Sequence, residues 1–456
     1  MGPNLLIVYA DQWRAQACGY AGNRDVKTPH LDRFAAEALN CRLAVSGTPV
    51  CTPARASLLT GLYPHRHGLF LNDAPLNPGL PSLGKVFAAA GYRTAWVGKW
   101  HIDGHGRYAY IPPERRQGFQ YFKALECTHD YNHSRYYADD DETLRFWQGY
   151  DAFAQTDDLI RWMEDDANRP FCAALSWGPP HNPYQTAPER FRALYDPQAL
   201  ELPPNVPDFI KADARRNLAG YYAHCSALDH AFGRLMTALG RAGLSENTLV
   251  LFASDHGDFV GAHGLHDKQG PWDEAIRVPF LLRAPGRLNP GVSDILIDHP
   301  DLLPTLCALA GLEAPAGIQG RDLSPHLRAG TTPPDDCALL AAYHTFGNWP
   351  NQPRCHPEIP ALFHAREYRG LRTRQYTYLE DLRGPWLLYD NQADPHQLRN
   401  RIDDPGHRAQ REALAAQLRR RREALGDEFL PGAEYVRRWN YQVDASGTIP
   451  ITDWVG

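Results

Sequence analysis

Five short, nearly unbroken apolar runs punctuate the chain, at residues 5–10, 94–98, 171–177, 248–254 and 278–283. Runs of this length predict strands buried on both faces, as in a mostly parallel sheet held between helix layers. Residues 29–38, 156–166 and 214–241 carry apolar positions at helical spacing between those runs. The alternation predicts an α/β fold, with a large mixed, mostly parallel central sheet sandwiched by helices. Asp11, Lys99, His181 and Asp255 each follow one of the apolar runs closely. In open α/β sheets ligands bind beyond the carboxyl ends of the strands, so these four are the first candidates for chemistry.

The pattern changes near residue 330. Thr331-Thr332-Pro333-Pro334-Asp335-Asp336 marks a boundary, and residues 368–371, 376–379 and 386–389 read as short antiparallel strands. The expected division is a catalytic domain over 1–332 and a smaller C-terminal α+β subdomain over 333–456 that contains a short antiparallel sheet. Residues 406–425 predict a solvated amphipathic helix whose basic run, 419–422, lies at the surface.

Composition narrows the function classes. The 456 residues are 43% hydrophobic and 22% charged, with a formal net charge of -6, a balance ordinary for a globular enzyme. No basic field invites nucleic acid, so any cationic site must be local. Nine cysteines, an odd count without a Cys-x-x-Cys pair, read as neither a disulfide framework nor a zinc site. Cys172 and Cys307, in apolar surroundings, are expected to be reduced core thiols. The apolar run at residue 5 is preceded by no basic segment, and no stretch nears the ~18 apolar residues of a membrane span. The expected location is cytoplasmic, or periplasmic or secreted if a signal has been removed, with no membrane partner. Without heptads or an apolar stripe, a monomer or homodimer is the default.

The chemistry concentrates in a few segments. A helix starting near Pro53 in Cys51-Thr52-Pro53-Ala54-Arg55 places Arg55 on the same face as residue 51. Asp11-Gln12 and Asp255-His256 both end apolar runs. Two carboxylates and an amide oxygen suit a hard divalent cation, and the imidazole suits manganese better than calcium. Each pair alone is more often a turn or a cap. In Gly98-Lys99-Trp100-His101, an extended backbone would put Lys99 and His101 on one face. Pro179-Pro180-His181-Asn182-Pro183 is too proline-rich for a helix or a central strand and predicts a rigid loop carrying His181.

The segment from Cys51 to Gly61, with Pro, Arg, Leu, Thr and Gly at fixed offsets, resembles the signature of type I, formylglycine-dependent sulfatases of the alkaline-phosphatase-like superfamily. The resemblance runs from Asn4 through Arg277-Val278-Pro279 to Leu371-Arg372-Thr373 and Leu388-Tyr389-Asp390. It implies hydrolysis of a sulfuric ester by formylglycine made from Cys51, with a formylglycine-generating or other sulfatase-maturating enzyme as partner. It also implies one divalent cation, usually calcium with manganese or magnesium as alternatives, held by Asp11, Gln12, residue 51, Asp255 and His256. Gln12 departs from the family's double-aspartate form and removes one negative charge. By the same resemblance Arg55 holds the aldehyde hydrate, Lys99 and Lys268 bind the sulfate, His101 lies beside the formylglycine, and His181 contacts the scissile ester oxygen. Asn72 takes the place of a family asparagine that binds substrate.

The expected substrate is a small sulfated molecule, a saccharide or an aryl sulfate. One alternative is a phosphonate monoester or phosphodiester hydrolase of the same superfamily, in which Tyr and Thr tend to stand where this chain has Lys99 and His101. Another is a non-catalytic binder of sulfated ligands. Trp13, Trp100, Trp177, Trp272, Trp349, Tyr184 and His344 are candidates for a stacking wall, and the loop at 341–364 for the specificity surface.

Overall fold

The computed structural model describes residues 2–347, 358 and 366–451. Ten strands of the main sheet are β1 (Asn4–Asp11), β2 (Leu39–Cys41), β3 (Arg93–Lys99), β4 (Tyr121–Leu125), β5 (Arg135–Ala138), β6 (Asp141–Phe146), β7 (Phe171–Pro180), β8 (Thr248–Ser254), β9 (Phe280–Arg283) and β10 (Gly291–Ser293). Their order is β10-β2-β9-β8-β1-β7-β3-β4-β5-β6. The centre, from β8 through β1, β7 and β3 to β4, is parallel, while β9 and the β4-β5-β6 meander pair antiparallel at either side. This is the expected mixed, mostly parallel sheet. Four of its central strands, β1, β3, β7 and β8, read as apolar runs because helices cover both faces, and all four are buried along their whole length.

One face packs against the helices Pro29–Glu37, Asp151–Asp165 and the long Lys211–Arg241, whose buried positions include Leu218, Tyr221, Leu228, Phe232 and Leu235. The other face packs against the helices Cys51–Thr60, Leu83–Ala89 and His299–Ala310. The last of these starts on a capping box made by Asp298 and Asp301, which satisfies donors at its first turn.

A second sheet carries β11 (Cys337–Ala342), β12 (Tyr368–Thr373), β13 (Tyr376–Asp381) and β14 (Gly384–Asp390), all antiparallel in that order. It holds one strand more than the sequence pattern indicated, because Cys-Ala-Leu-Leu-Ala-Ala lacks the β-branched residues that mark strands. The helix Arg408–Leu425 lays Leu414 and Leu418 against this sheet. Its basic run departs from expectation. Arg419 and Arg420 are exposed, but Arg421 donates to Tyr63 Oη at 3.3 Å and pairs with Asp335, and Arg422 donates to the Asp427 carbonyl at 3.3 Å. Arg421 thus fastens the tail to the body, while Arg422 ties the end of the helix to the turn that follows it.

The prolines after Trp177 also differ from expectation, since β7 runs on through Pro180. Pairing to β3 stops at Ser176, and the β1 register shifts before Asp11 meets Pro180. The prolines therefore fall where β3 asks for no further N–H donor. The eight described cysteines are free and buried. Among the described residues no helix is long and apolar enough to cross a membrane.

Arg369 in β12 is fully buried, donates to both oxygens of Asp427 and lies over the Tyr343 ring with its Cζ 3.8 Å from the ring centroid. Asp427→Ala would leave that guanidinium without its carboxylate, and loss of one partner of a buried pair costs about 3–5 kcal/mol. Urea unfolding should show a lowered midpoint for this variant, whereas Glu412→Ala, which breaks the exposed pair with Arg408, should leave the midpoint near that of the wild type.

Candidate active site

Cys51 opens the helix Cys51–Thr60, after Val50 in extended conformation, and the helix closes on Gly61 in the left-handed region at φ 68°. Every residue of this helix is buried, so its first turn is pressed among the carboxyl ends of β1, β3 and β8. One turn on, Arg55 spreads its donors over the ends of four strands, β1, β3, β7 and β8. Its guanidinium meets Asp255 Oδ2 at 2.9 Å and Asp11 Oδ2 at 3.3 Å, and it donates to Ser176 Oγ at 2.7 Å and the Lys99 carbonyl at 3.2 Å. Arg55, Asp11 and Asp255 are all shielded from solvent. Lys99 reaches the same centre from the end of β3 and donates to Asp11 Oδ2. Gly98 makes this approach possible: a Cβ there would lie 2.1 Å from the Ser176 carbonyl oxygen, and its φ is 106°.

Asp11, Cys51, Asp255 and His256 present ligand atoms that all lie within 4.8 Å of one another. Cys51 Sγ is 3.2 Å from His256 Nε2 and 3.7 Å from Asp11 Oδ1. Two buried carboxylates, an imidazole and the side chain at 51 form a donor set that fits a divalent cation. Gln12, at φ 67°, donates its backbone N–H to Asp255 Oδ1 at 2.9 Å, while its side-chain oxygen accepts from Lys268 Nζ at 2.6 Å. Lys268 Nζ also lies 2.6 Å from His181 Nε2.

The electrostatics favour an anion at position 51. Burial and Asp11 raise the Cys51 thiol, but Lys268, Lys99 and His256 outweigh them and bring it down to about 5. Burial likewise raises Asp11, yet Lys99, His181, Arg55 and His256 hold its carboxyl well below the usual range. Burial, Lys268 and His129 push His181 far below an ordinary imidazole, so it is neutral. His101 is depressed by burial and by Lys99 but raised by Cys127 and Asp73, and it ends at about 9.

The residues singled out from the sequence gather in one place, with differences in detail. The helix at Cys51 and the facing of Arg55 are as expected. Lys99 and His101 do not continue one extended face, because His101 sits at φ 60° and ends the strand geometry. Its carbonyl accepts from Thr52 Oγ1 at 2.8 Å, which ties it beside residue 51, and its Nε2 is 3.5 Å from Asp73 Oδ1. Asn72 Oδ1 accepts the backbone N–H of Thr52 at 3.1 Å and so steadies the first turn of the helix. Trp13, Trp100, Trp177 and Trp272 are core residues with no exposed surface, which corrects their candidacy as a stacking wall. Trp100, for example, packs edge-on to Trp96 and Phe122. Trp349 and most of the 341–364 loop lie outside the described residues, and His344 Nε2 is 3.0 Å from the Gly447 carbonyl.

Several neighbours escaped the sequence reading. Asp73 takes a two-pronged pair from Arg107, both contacts at 2.9 Å. Cys127, just beyond β4, has its thiol held well below the ordinary value: burial raises it, but Lys99, His101 and His129 outweigh burial and lower it. His129 stacks on His181 with ring centroids 4.6 Å apart and planes 14° from parallel.

The family model for sulfatases matches residues 3–312, more than half of the chain. The chain belongs to the sulfatase family. It is a sulfuric ester hydrolase of the alkaline-phosphatase-like superfamily. The model of the N-sulphoglucosamine sulphohydrolase C-terminal region matches residues 261–424 of this sulfatase. Over 446 residues, 96% of this chain and 84% of the relative, it is 44% identical to an ulvan-active sulfatase of Formosa agariphila. An endo-4-O-sulfatase of Bacteroides thetaiotaomicron is 32% identical, with 87% of each chain covered. Among solved structures, a protein of Bacteroides fragilis assigned as the sulfatase yidJ superposes with a TM-score of 0.83 at 29% identity, over 95% of this chain and 98% of that one.

Arg55 neutralises Asp11 and Asp255, so Arg55→Met should destabilise the cation-free protein by about 3–5 kcal/mol. The same variant should regain more on calcium addition than the wild type does, because a bound cation replaces the missing charge. Thermal unfolding in EDTA and in saturating calcium measures both increments; equal calcium increments would show that Arg55 does not compensate these carboxylates.

Proposed function

We propose that this sulfatase removes sulfate from a sulfated saccharide, with residue 51 acting as formylglycine beside a divalent cation. The observation that carries the reading is the convergence of Lys268, Lys99 and His256 on position 51, with His256 Nε2 3.2 Å from its Sγ, which outweighs burial and brings the thiol to about 5. A site that stabilises negative charge there suits the spread of charge over the equatorial and leaving oxygens in sulfuryl transfer. The saccharide preference is supported by the ulvan-active and endo-4-O relatives.

Formylglycine hydrate supplies one hydroxyl to attack sulfur and a second whose deprotonation expels sulfate and restores the aldehyde. A divalent cation held by Asp11, Asp255, His256 and residue 51, with Gln12 at its side, would lower the pKa of the attacking hydroxyl and offset charge on the sulfate. Lys99 and Lys268 bind the sulfate oxygens. Arg55 holds the Asp11 and Asp255 carboxylates in register, and Asn72 keeps the first turn of the helix in place. His101, tied through its carbonyl to Thr52 and raised to about 9, takes the proton of the second hydroxyl only in its neutral form, so this step gains as the pH rises toward about 9. Lys268, with its ammonium against His181 Nε2, provides the proton for the departing alcohol. Lys99 and His101 are also the residues that separate this reading from phosphonate hydrolysis.

Protein co-produced with a formylglycine-generating enzyme should release sulfate from sulfated oligosaccharides, ulvan fragments among them, and Cys51→Ala should abolish it. Turnover confined to a phosphonate monoester in the same panel would overturn the sulfate assignment. His101→Ala should lower turnover by about 10²–10⁴-fold, the usual worth of a general base, when assayed on the fully converted protein.

A further inference from the structure

We propose that Asp258 and Tyr184 are positioning residues that orient the Gln12 side-chain amide, and through it hold Lys268 as the proton donor facing His181. The inference rests on the reading of Lys268 and His181 as the leaving-group pair. Asp258 lies two residues beyond His256, is fully buried, and receives three donors: Gln12 Nε2 at 2.8 Å and Tyr184 Oη at 2.5 Å on Oδ2, and the Val260 N–H at 3.1 Å on Oδ1.

A primary amide has one donor end and one acceptor end, and in a buried site its orientation is set by its partners. With its NH₂ committed to the Asp258 carboxylate, Gln12 must turn its oxygen the other way. There it accepts from Lys268 Nζ at 2.6 Å. The same Nζ is 2.6 Å from His181 Nε2, while His181 Nδ1 is 2.9 Å from the Asn182 carbonyl oxygen. A carbonyl can only accept, so Nδ1 carries the ring proton and Nε2 is the acceptor that faces Lys268. Donor direction is therefore passed from Asp258 through Gln12 and Lys268 to His181. All four side chains in that series are buried, so no bulk water competes for their orientations. Tyr184 supplies the second donor that keeps Asp258 Oδ2 pointed at Gln12.

Gln12 thus has a role that an aspartate could not fill. A carboxylate at position 12 would accept from Lys268 but would face Asp258 without a donor between them. The substitution that lowers the charge of the cation site is the one that completes this series.

Asp258→Asn offers an NH₂ of its own and lets the Gln12 amide reverse, which puts two donors against each other at Lys268. The test compares two sulfate esters on fully converted protein: an alkyl or saccharide sulfate, whose alkoxide must be protonated as it leaves, and 4-nitrophenyl sulfate, whose leaving group needs little help. Asp258→Asn should lower kcat on the first by about 10²-fold, within the range of general-acid catalysis, and on the second by less than about 5-fold. Tyr184→Phe, a milder change, should show the same split at smaller size. Equal losses on both esters, or no loss on either, would overturn the proposal, since a merely structural role moves both together. Wild-type rates on the two esters test the sulfatase reading itself. Independently of turnover, ¹⁵N NMR of the wild type should find His181 neutral with Nε2 unprotonated, and a protonated Nε2 would contradict the inference.

Discussion

Arg55 is the contact on which the rest of the centre depends. Three of the strands in the parallel centre of the sheet bring a carboxylate, a carboxylate and a lysine to one point, and two ionised carboxylates cannot be buried side by side without compensation. The guanidinium meets both carboxylates and donates to the Ser176 hydroxyl and the Lys99 carbonyl, so one side chain locks β1, β3, β7 and β8 to the helix that begins at residue 51. That helix is buried throughout, which leaves residue 51 no freedom to move away from the charges around it.

The consequence is a division of labour within a few ångströms. Asp11, Asp255 and His256 offer donors that suit a cation, and Lys99 and Lys268 offer charges that suit an anionic ester, all gathered about residue 51. A chain with a net charge of -6 can therefore favour an anion at residue 51, because the field that matters is local and largely shielded from solvent. The outer layer, made by Asp73 with Arg107, His129 against His181 and Asp258 with Tyr184, fixes the orientation of groups that the inner layer uses.

Much of this was legible in the amino-acid sequence where one physical rule dominated. Strands covered on both faces had to be apolar throughout, so β1, β3, β7 and β8 stood out and their ends located the site. Short or exposed strands gave no such signal: β6 is mostly solvated, β2 and β10 span three residues each, and β11 is too rich in alanine to read as a strand. The inner residues were found because they sit in motifs that resemble the sulfatase signature. His101 was expected on an extended face, and its left-handed backbone is a tertiary effect that a non-glycine residue does not advertise. Cys127 and His129 arrive from the end of β4 without any motif, and only the fold brings them to Lys99 and His181. Trp13, Trp100, Trp177 and Trp272 carry aromatic faces that suit a pocket or a core alike, and packing places these four in the core.

In the mechanism we propose, turnover belongs to residue 51 in its formylglycine form, held in a field built for an anion. The most direct test prepares the protein with graded amounts of maturation enzyme, measures the converted fraction of residue 51 by peptide mass, and plots it against the rate of sulfate release. The account predicts a straight line through the origin. A rate that persists when residue 51 remains cysteine, or that does not vary with conversion, would contradict it.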